Sequence, residues 1–134
     1  MPSASERRVI SDSELMDAAR SARSHAYAPY SHLSVGAALL CDDGTIHSGC
    51  NVESGSYGLT ICAERNALFS AVANGRRSFS AIAVAGPPGA RTSPCGACRQ
   101  VLAEFAPAMR VLYTIPDGVE HSTVRDLLPD GFVF

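Results

Sequence analysis

The sequence predicts an α/β fold, a three-layer α/β/α sandwich around one mixed sheet. Two observations point there. Two apolar runs flank Asp43-Gly44, a strong hairpin turn. After that hairpin, strand-like and helix-like segments alternate, the order that builds a sheet covered by helices. With 134 residues, one domain over 1–134 is the expectation.

Residues 1–10 carry no periodic pattern and are expected to fray. "SDSELMDAARSARSHA" then reads as a helix. Ser11 and Glu14 fit a capping box, and Leu15, Ala18, Ala19, Ala22 and Ala26 mark an apolar stripe. Pro29, in "YAPYSH", ends any helix. "LSVGAALLCDDGTIHSGCNV" is the hairpin, and "ESGSYGLT" is a loop. A second helix runs from about Cys62 to Asn74 with Gly75 as its stop. "FSAIAVAG" is a short buried strand and "PPGARTS" a loop. "CGACRQVLAEF" is a third helix, with Val101, Leu102 and Phe105 at core spacing. "MRVLYTI" is a strand, Asp117-Gly118 a turn, and "STVRDLLP" a short final helix.

The apolar content is 46%, enough for a core without disulfide staples. The formal charge is −2 and the basic residues come no denser than pairs such as Arg76-Arg77. Polynucleotide binding needs a denser positive surface. All 11 basic residues are arginine, which removes lysine Schiff bases and a Walker-type phosphate loop. No segment has the apolar length of a membrane span, and "MPSASERRVI" has no export pattern. A reducing cytoplasm is therefore expected. There the 5 cysteines, Cys41, Cys50, Cys62, Cys95 and Cys98, point to metal or catalysis before disulfides.

Cys62 opens one predicted helix, and Cys95-x-x-Cys98, after Pro94, opens another. The positive end of a helix dipole favours thiolate, the form that binds zinc. A C-x-x-C pair alone also fits a redox pair or two small buried residues. The addition of Cys62-Ala63-Glu64 changes that balance. Together with Pro94-Cys95-x-x-Cys98 it reproduces the zinc deaminase signature, with cysteine in place of histidine.

On these motifs, and on "YAPYSHLSVGAALL", "GCNVES", "CAERNALFSAV", "SPCGACRQVL" and "DLLPDGF", the chain resembles the small homotetrameric, three-cysteine cytidine deaminases. The resemblance implies one Zn²⁺ per subunit, held by Cys62, Cys95 and Cys98 with the fourth position left to solvent. The alternative is a closed structural site completed by Cys41, Cys50 or His47. Three thiolates give the ion a net charge of −1. Two helix N-termini and Arg65, which the resemblance places on the ligand sulfurs, would offset that excess. Glu64 is implied as the proton carrier, from water to the pyrimidine N3 and then to the departing amine.

The resemblance further implies that Leu33, Asn51, Glu53 and Ala63 contact the nucleoside, Asn51 and Glu53 through the ribose 3′-hydroxyl. Tyr57 and Phe132, with Phe134 as a second candidate, would border a neighbouring subunit's pocket. Leu33 departs from the family, which places a stacking phenylalanine there, so substrate preference is open at this point. That departure and the short "LLPDGFVF" ending lean toward blasticidin S deaminase. Glu53 and the arginine of "CAER" favour cytidine and deoxycytidine. A non-catalytic structural-zinc domain and a polynucleotide-editing deaminase are the other classes. His25, His32, His47 and His121 are expected to play surface or ordinary core roles.

Overall fold

The computed structural model describes residues 9–134. Most of the segment expected to fray, residues 1–8, lies outside the described residues. The first helix, α1, spans Asp12–Arg23, with Ser11 as N-cap accepting from the Glu14 amide. It stops short of the expected end at Ala26. His25 and Ala26 bond back three residues, to the carbonyls of Ala22 and Arg23, so the last turn tightens and unwinds before Pro29 is reached.

The hairpin forms from β1 (Gly36–Cys41) and β2 (Ile46–Cys50), with Gly44 in the left-handed region at φ 87°. The strand was expected to begin at Leu33, but residues 33–35 are extended chain outside the sheet. Helix α2 spans Ala63–Ala73 and closes at Gly75, φ 85°. Strand β3 (Phe79–Ala85), helix α3 (Gly96–Phe105) and strand β4 (Arg110–Ile115) follow as expected. The expected short final helix forms as α4, Val124–Leu127, but it starts two residues late, because an unexpected strand, β5 (Gly118–Thr123), takes Ser122 and Thr123.

The five strands form one mixed sheet in the order β2-β1-β3-β4-β5. Only β3 and β4 run parallel. Helix α3 forms the crossover between them, as a parallel pair requires. Helix α1 packs on one face, where Leu15, Met16 and Ala19 meet Ala38, Ala81, Ala83, Ala85 and Leu112. Alanines pave this face, so the helix can lie close to it. Helices α2 and α3 cover the other face over larger side chains, among them Leu39, Ile82, Val84, Val111 and Tyr113. This is the expected α/β/α sandwich.

The placement of α2 is set by the absence of a side chain at Gly49. A Cβ there would lie 2.4 Å from the Ala67 amide nitrogen and 2.6 Å from the Ala63 carbonyl. Backbone therefore touches backbone where β2 meets the first turns of α2. Gly49→Ala is expected to destabilise the fold by about 1–3 kcal/mol, as overpacking does. Gly58→Ala, with nothing within 4 Å of the added atom, is expected to stay within about 0.5 kcal/mol. Urea denaturation of both variants checks the contrast.

Candidate metal centre and active site

Both cysteine-bearing helices start on loops that leave the sheet, one after β2 and one after β3. Cys62 is the N-cap residue of α2 and Cys95 that of α3, each with extended backbone. Neither side chain caps its own helix, so both sulfurs are free to turn toward a common point. Cys98 sits one turn into α3 and is fully buried. The sulfurs of Cys62, Cys95 and Cys98 all lie within 4.8 Å of one another, and Cys62 and Cys95 are 3.8 Å apart. Among the described residues no histidine and neither Cys41 nor Cys50 joins this group. Cys41 is instead sealed in the core, and burial raises its thiol pKa.

The loop before Cys95 is fixed from two sides. The Thr92 amide donates to the Thr114 carbonyl at 3.0 Å, and the Gly86 amide to Thr114 Oγ1 at 2.9 Å. Arg99, one turn into α3, donates from Nε to the Pro94 carbonyl at 2.7 Å and from Nη1 to the Leu127 carbonyl at 2.8 Å. These contacts register Cys95 against Cys62. Sequence reading did not single out Arg99. Its signal was faint, an arginine directly following the C-x-x-C pair.

Arg65 donates from Nη2 to Cys62 Sγ at 3.5 Å, so it is no solvated first-turn side chain. Its Nε is buried without a partner. A cation in the first turn opposes the helix dipole, and anionic sulfur beside it offsets that cost. The Cys98 thiol and then Arg65 hold the Cys62 thiol well below the usual thiol range. Cys98 shifts the other way, through its hydrogen bond to Cys62 and through burial, and keeps its proton. Three soft sulfur donors converging beside a buried guanidinium fit a zinc ion, which binds thiolates and displaces their protons.

Glu64 is only 4% exposed and lies two residues after Cys62, in the first turn of α2. Burial pushes its carboxyl up to about 7, and the neighbouring Cys62 thiolate adds to the rise. A carboxyl poised near neutrality can both take and give a proton.

The cluster opens onto a cleft of about 220 Å³ whose lining includes Leu33, Asn51, Cys62, Ala63, Glu64 and Cys95. A second cleft of about 350 Å³ is lined by Tyr30, Ser31, Glu53, Ser54, Tyr57 and Thr60. Ser31 and Thr60 line both. The expected site residues thus divide: Leu33, Asn51, Ala63 and Glu64 beside the sulfurs, Glu53 and Tyr57 in the adjoining space. Leu33 is 57% exposed, so it is not a core residue opening a strand.

Asn51 is buried and works as a clamp. Its Oδ1 accepts from the Val35 amide, and its Nδ2 donates to the Leu33 carbonyl, both at 2.8 Å. Each end of the amide retains capacity for one more bond. Glu53 accepts from the Tyr30 and Ser31 amides at 3.0 and 3.1 Å and from the Ser31 hydroxyl. Phe132 lies in neither cleft. Its side chain is 73% exposed, while its backbone is gripped by the Gln100 amide through two 3.0 Å bonds. Tyr57, 74% exposed, meets the Tyr30 ring edge-on at 5.9 Å.

A three-thiol metal centre with a buried carboxyl at a cleft, carried on an α/β/α sandwich, defines a zinc-site hydrolase class. Residues 9–115 match the family described as the cytidine and deoxycytidylate deaminase zinc-binding region, and the chain belongs to that family. A cytidine deaminase from Sporosarcina psychrophila is 49% identical over 121 residues, 89% of this chain and 89% of its own length. The crystal structure of cytidine deaminase from Burkholderia pseudomallei is similar with a TM-score of 0.87 at 49% identity. The match covers 92% of this chain and 100% of that one. A blasticidin-S deaminase from Bacillus cereus is 32% identical over 126 residues, 88% of this chain and 89% of its own. Among the described residues no helix is long and apolar enough to cross a membrane.

The thiol electrostatics generate a chemical expectation. After chelation, Cys62 is expected to be alkylated by iodoacetamide well below the pH that an ordinary thiol requires, while Cys98 stays protected. Added zinc is expected to shield Cys62, Cys95 and Cys98 together. Arg65→Gln is expected to slow the Cys62 reaction and weaken zinc retention by about 10–100-fold. Peptide mapping by mass spectrometry and a competing chelator read these effects.

Proposed function

We propose that the protein is a zinc-dependent cytidine deaminase acting on cytidine and 2′-deoxycytidine, with water added at C4 and ammonia released. The observation that carries this reading is the buried Glu64 beside the converging sulfurs of Cys62, Cys95 and Cys98, at the cleft floor. The whole chain acts as one domain and serves cytoplasmic pyrimidine salvage.

Cys62, Cys95 and Cys98 would hold one Zn²⁺ per subunit. When bound, zinc supplies Lewis-acid activation of water. Glu64 takes a proton from the attacking water and passes it to the pyrimidine N3. The carboxyl then moves the hydroxyl proton at C4 to the amine, which leaves as ammonia. A carboxyl raised by burial suits both transfers near neutral pH. Arg65, bonded to the Cys62 sulfur, steadies the thiolate charge.

Leu33 and Ala63 form apolar walls for the base. Asn51 and Glu53 read the sugar hydroxyls with the donor and acceptor capacity their clamped geometries leave. Tyr57 and Phe132 project outward, and in a homotetramer they would close a neighbour's pocket, with Phe134 beyond them. The cytidine reading is favoured over blasticidin S by the higher identity, 49% against 32%. A net charge of −2 argues against a polynucleotide substrate.

Zinc-loaded protein is expected to turn over cytidine and deoxycytidine far faster than blasticidin S, followed as loss of the cytosine absorbance. Glu64→Gln is expected to keep its zinc and lose about 10²–10⁴-fold in kcat. Unchanged kcat in that variant would remove Glu64 from the mechanism. A light-scattering mass of four subunits is the expected solution state; a monomer with full activity would exclude shared pockets.

A further inference from the structure

We propose that Ser31 is a positioning residue for substrate recognition: its hydroxyl aims the Glu53 carboxylate and fixes the Leu33 backbone at the cleft wall. The inference rests on the nucleoside reading above and adds to it a residue outside the expected site set. Ser31 and Thr60 are the two residues that line both clefts. Ser31 therefore stands where the space beside the sulfurs meets the space around Glu53.

A hydroxyl has one hydrogen to give and lone pairs to receive. At Ser31 the hydrogen goes to Glu53 Oε2. The oxygen accepts from the Leu33 amide at 3.0 Å. The Ser31 amide adds a bond to Glu53 Oε1 at 3.1 Å, beside that of Tyr30 at 3.0 Å. Glu53 is thus oriented by one short stretch of chain, and the Ser31 hydroxyl alone holds its second oxygen among these contacts. These bonds also hold that carboxyl below its usual range, with the Ser31 hydroxyl the leading cause.

The backbone between these bonds is unusual. His32 has φ 60°, a left-handed conformation that non-glycine residues adopt rarely. It is bracketed by the His32 amide bond to Ala28 and by the Ser31–Leu33 bond. Across this turn Ser31 bonds Glu53 while Leu33 lines the sulfur-bearing cleft. Removing the hydroxyl frees Glu53 Oε2 and the Leu33 amide together. Both sit where water can replace the lost partner, so the loss falls on aim more than on folding.

The decisive experiment compares wild type, Ser31→Ala and Ser31→Thr as zinc-loaded protein, with cytidine and with a cytidine analogue lacking the 3′-hydroxyl. Ser31→Ala is expected to raise the cytidine KM about tenfold or more, with kcat within about twofold and zinc content unchanged. Ser31→Thr, which keeps the hydroxyl, is expected to recover most of the KM. In wild type, loss of the 3′-hydroxyl is expected to raise KM; in Ser31→Ala that penalty should shrink, because Glu53 no longer points at it. An equal loss on both substrates, a loss confined to kcat, or no recovery with threonine would overturn the proposal. A carboxyl-carbon NMR titration of Glu53 supplies a readout independent of turnover. Its midpoint should lie below the ordinary glutamate range in wild type and rise in Ser31→Ala. An unchanged midpoint sinks the Ser31 inference, whereas a wild type inert toward cytidine sinks the functional reading instead.

Discussion

Everything distinctive in this protein depends on two helix starts lying side by side. Cys62 and Cys95 occupy N-cap positions, where the backbone is still extended and the side chain is not committed to the helix face. Cys98, one turn further on, adds the third sulfur from within α3. Each helix presents its dipole's positive end to the sulfurs, and Arg65 adds a full charge at Cys62. An electron-rich donor set is thereby kept compatible with folding. The same placement brings Glu64, two residues after Cys62, under cover beside the metal centre.

The sheet makes that placement possible by leaving out side chains. Gly49 lets α2 ride directly on β2, and alanines on the opposite face let α1 approach closely. Where the chain leaves the sheet, side chains replace strand pairing. Asn51 clamps residues 33 and 35, Thr114 holds the loop from Gly86 to Thr92, and Arg99 holds Pro94. The cleft walls outside the helices are therefore loop, but loop whose backbone groups are bonded one by one, which is how a mobile class of structure becomes a defined surface.

Much of this was legible in advance, for local reasons. Turns at Asp43-Gly44 and Gly75 follow from backbone freedom that only glycine has in abundance. The helix cap at Ser11 and the strands at 79–85 and 110–115 follow from pattern. The zinc signature followed from spacing, because three sulfurs at helix starts have few other uses. The missed strand, Gly118–Thr123, has the opposite character. "GVEHST" is an edge strand with no apolar alternation, and it is a strand because β4 pairs with it across a tight turn. The strand start was set too early, at Leu33, for a related reason: an apolar residue before a strand pattern looks like its beginning, whereas here it lines the cleft, as its resemblance-based role requires.

The sequence by itself determined the candidate site: three thiols, one acid and one arginine, each tied to a helix start by its neighbours in the chain. It also determined the layers, since hydrophobic period is a property of each segment alone. Only the tertiary structure decided that Asn51 spends its amide on the backbone, that Glu53 lies in an adjoining space, and that Ser31 joins the two. Those facts are relations between residues far apart in the chain. Short polar side chains carry no periodic signal, and their partners are chosen by the fold that surrounds them.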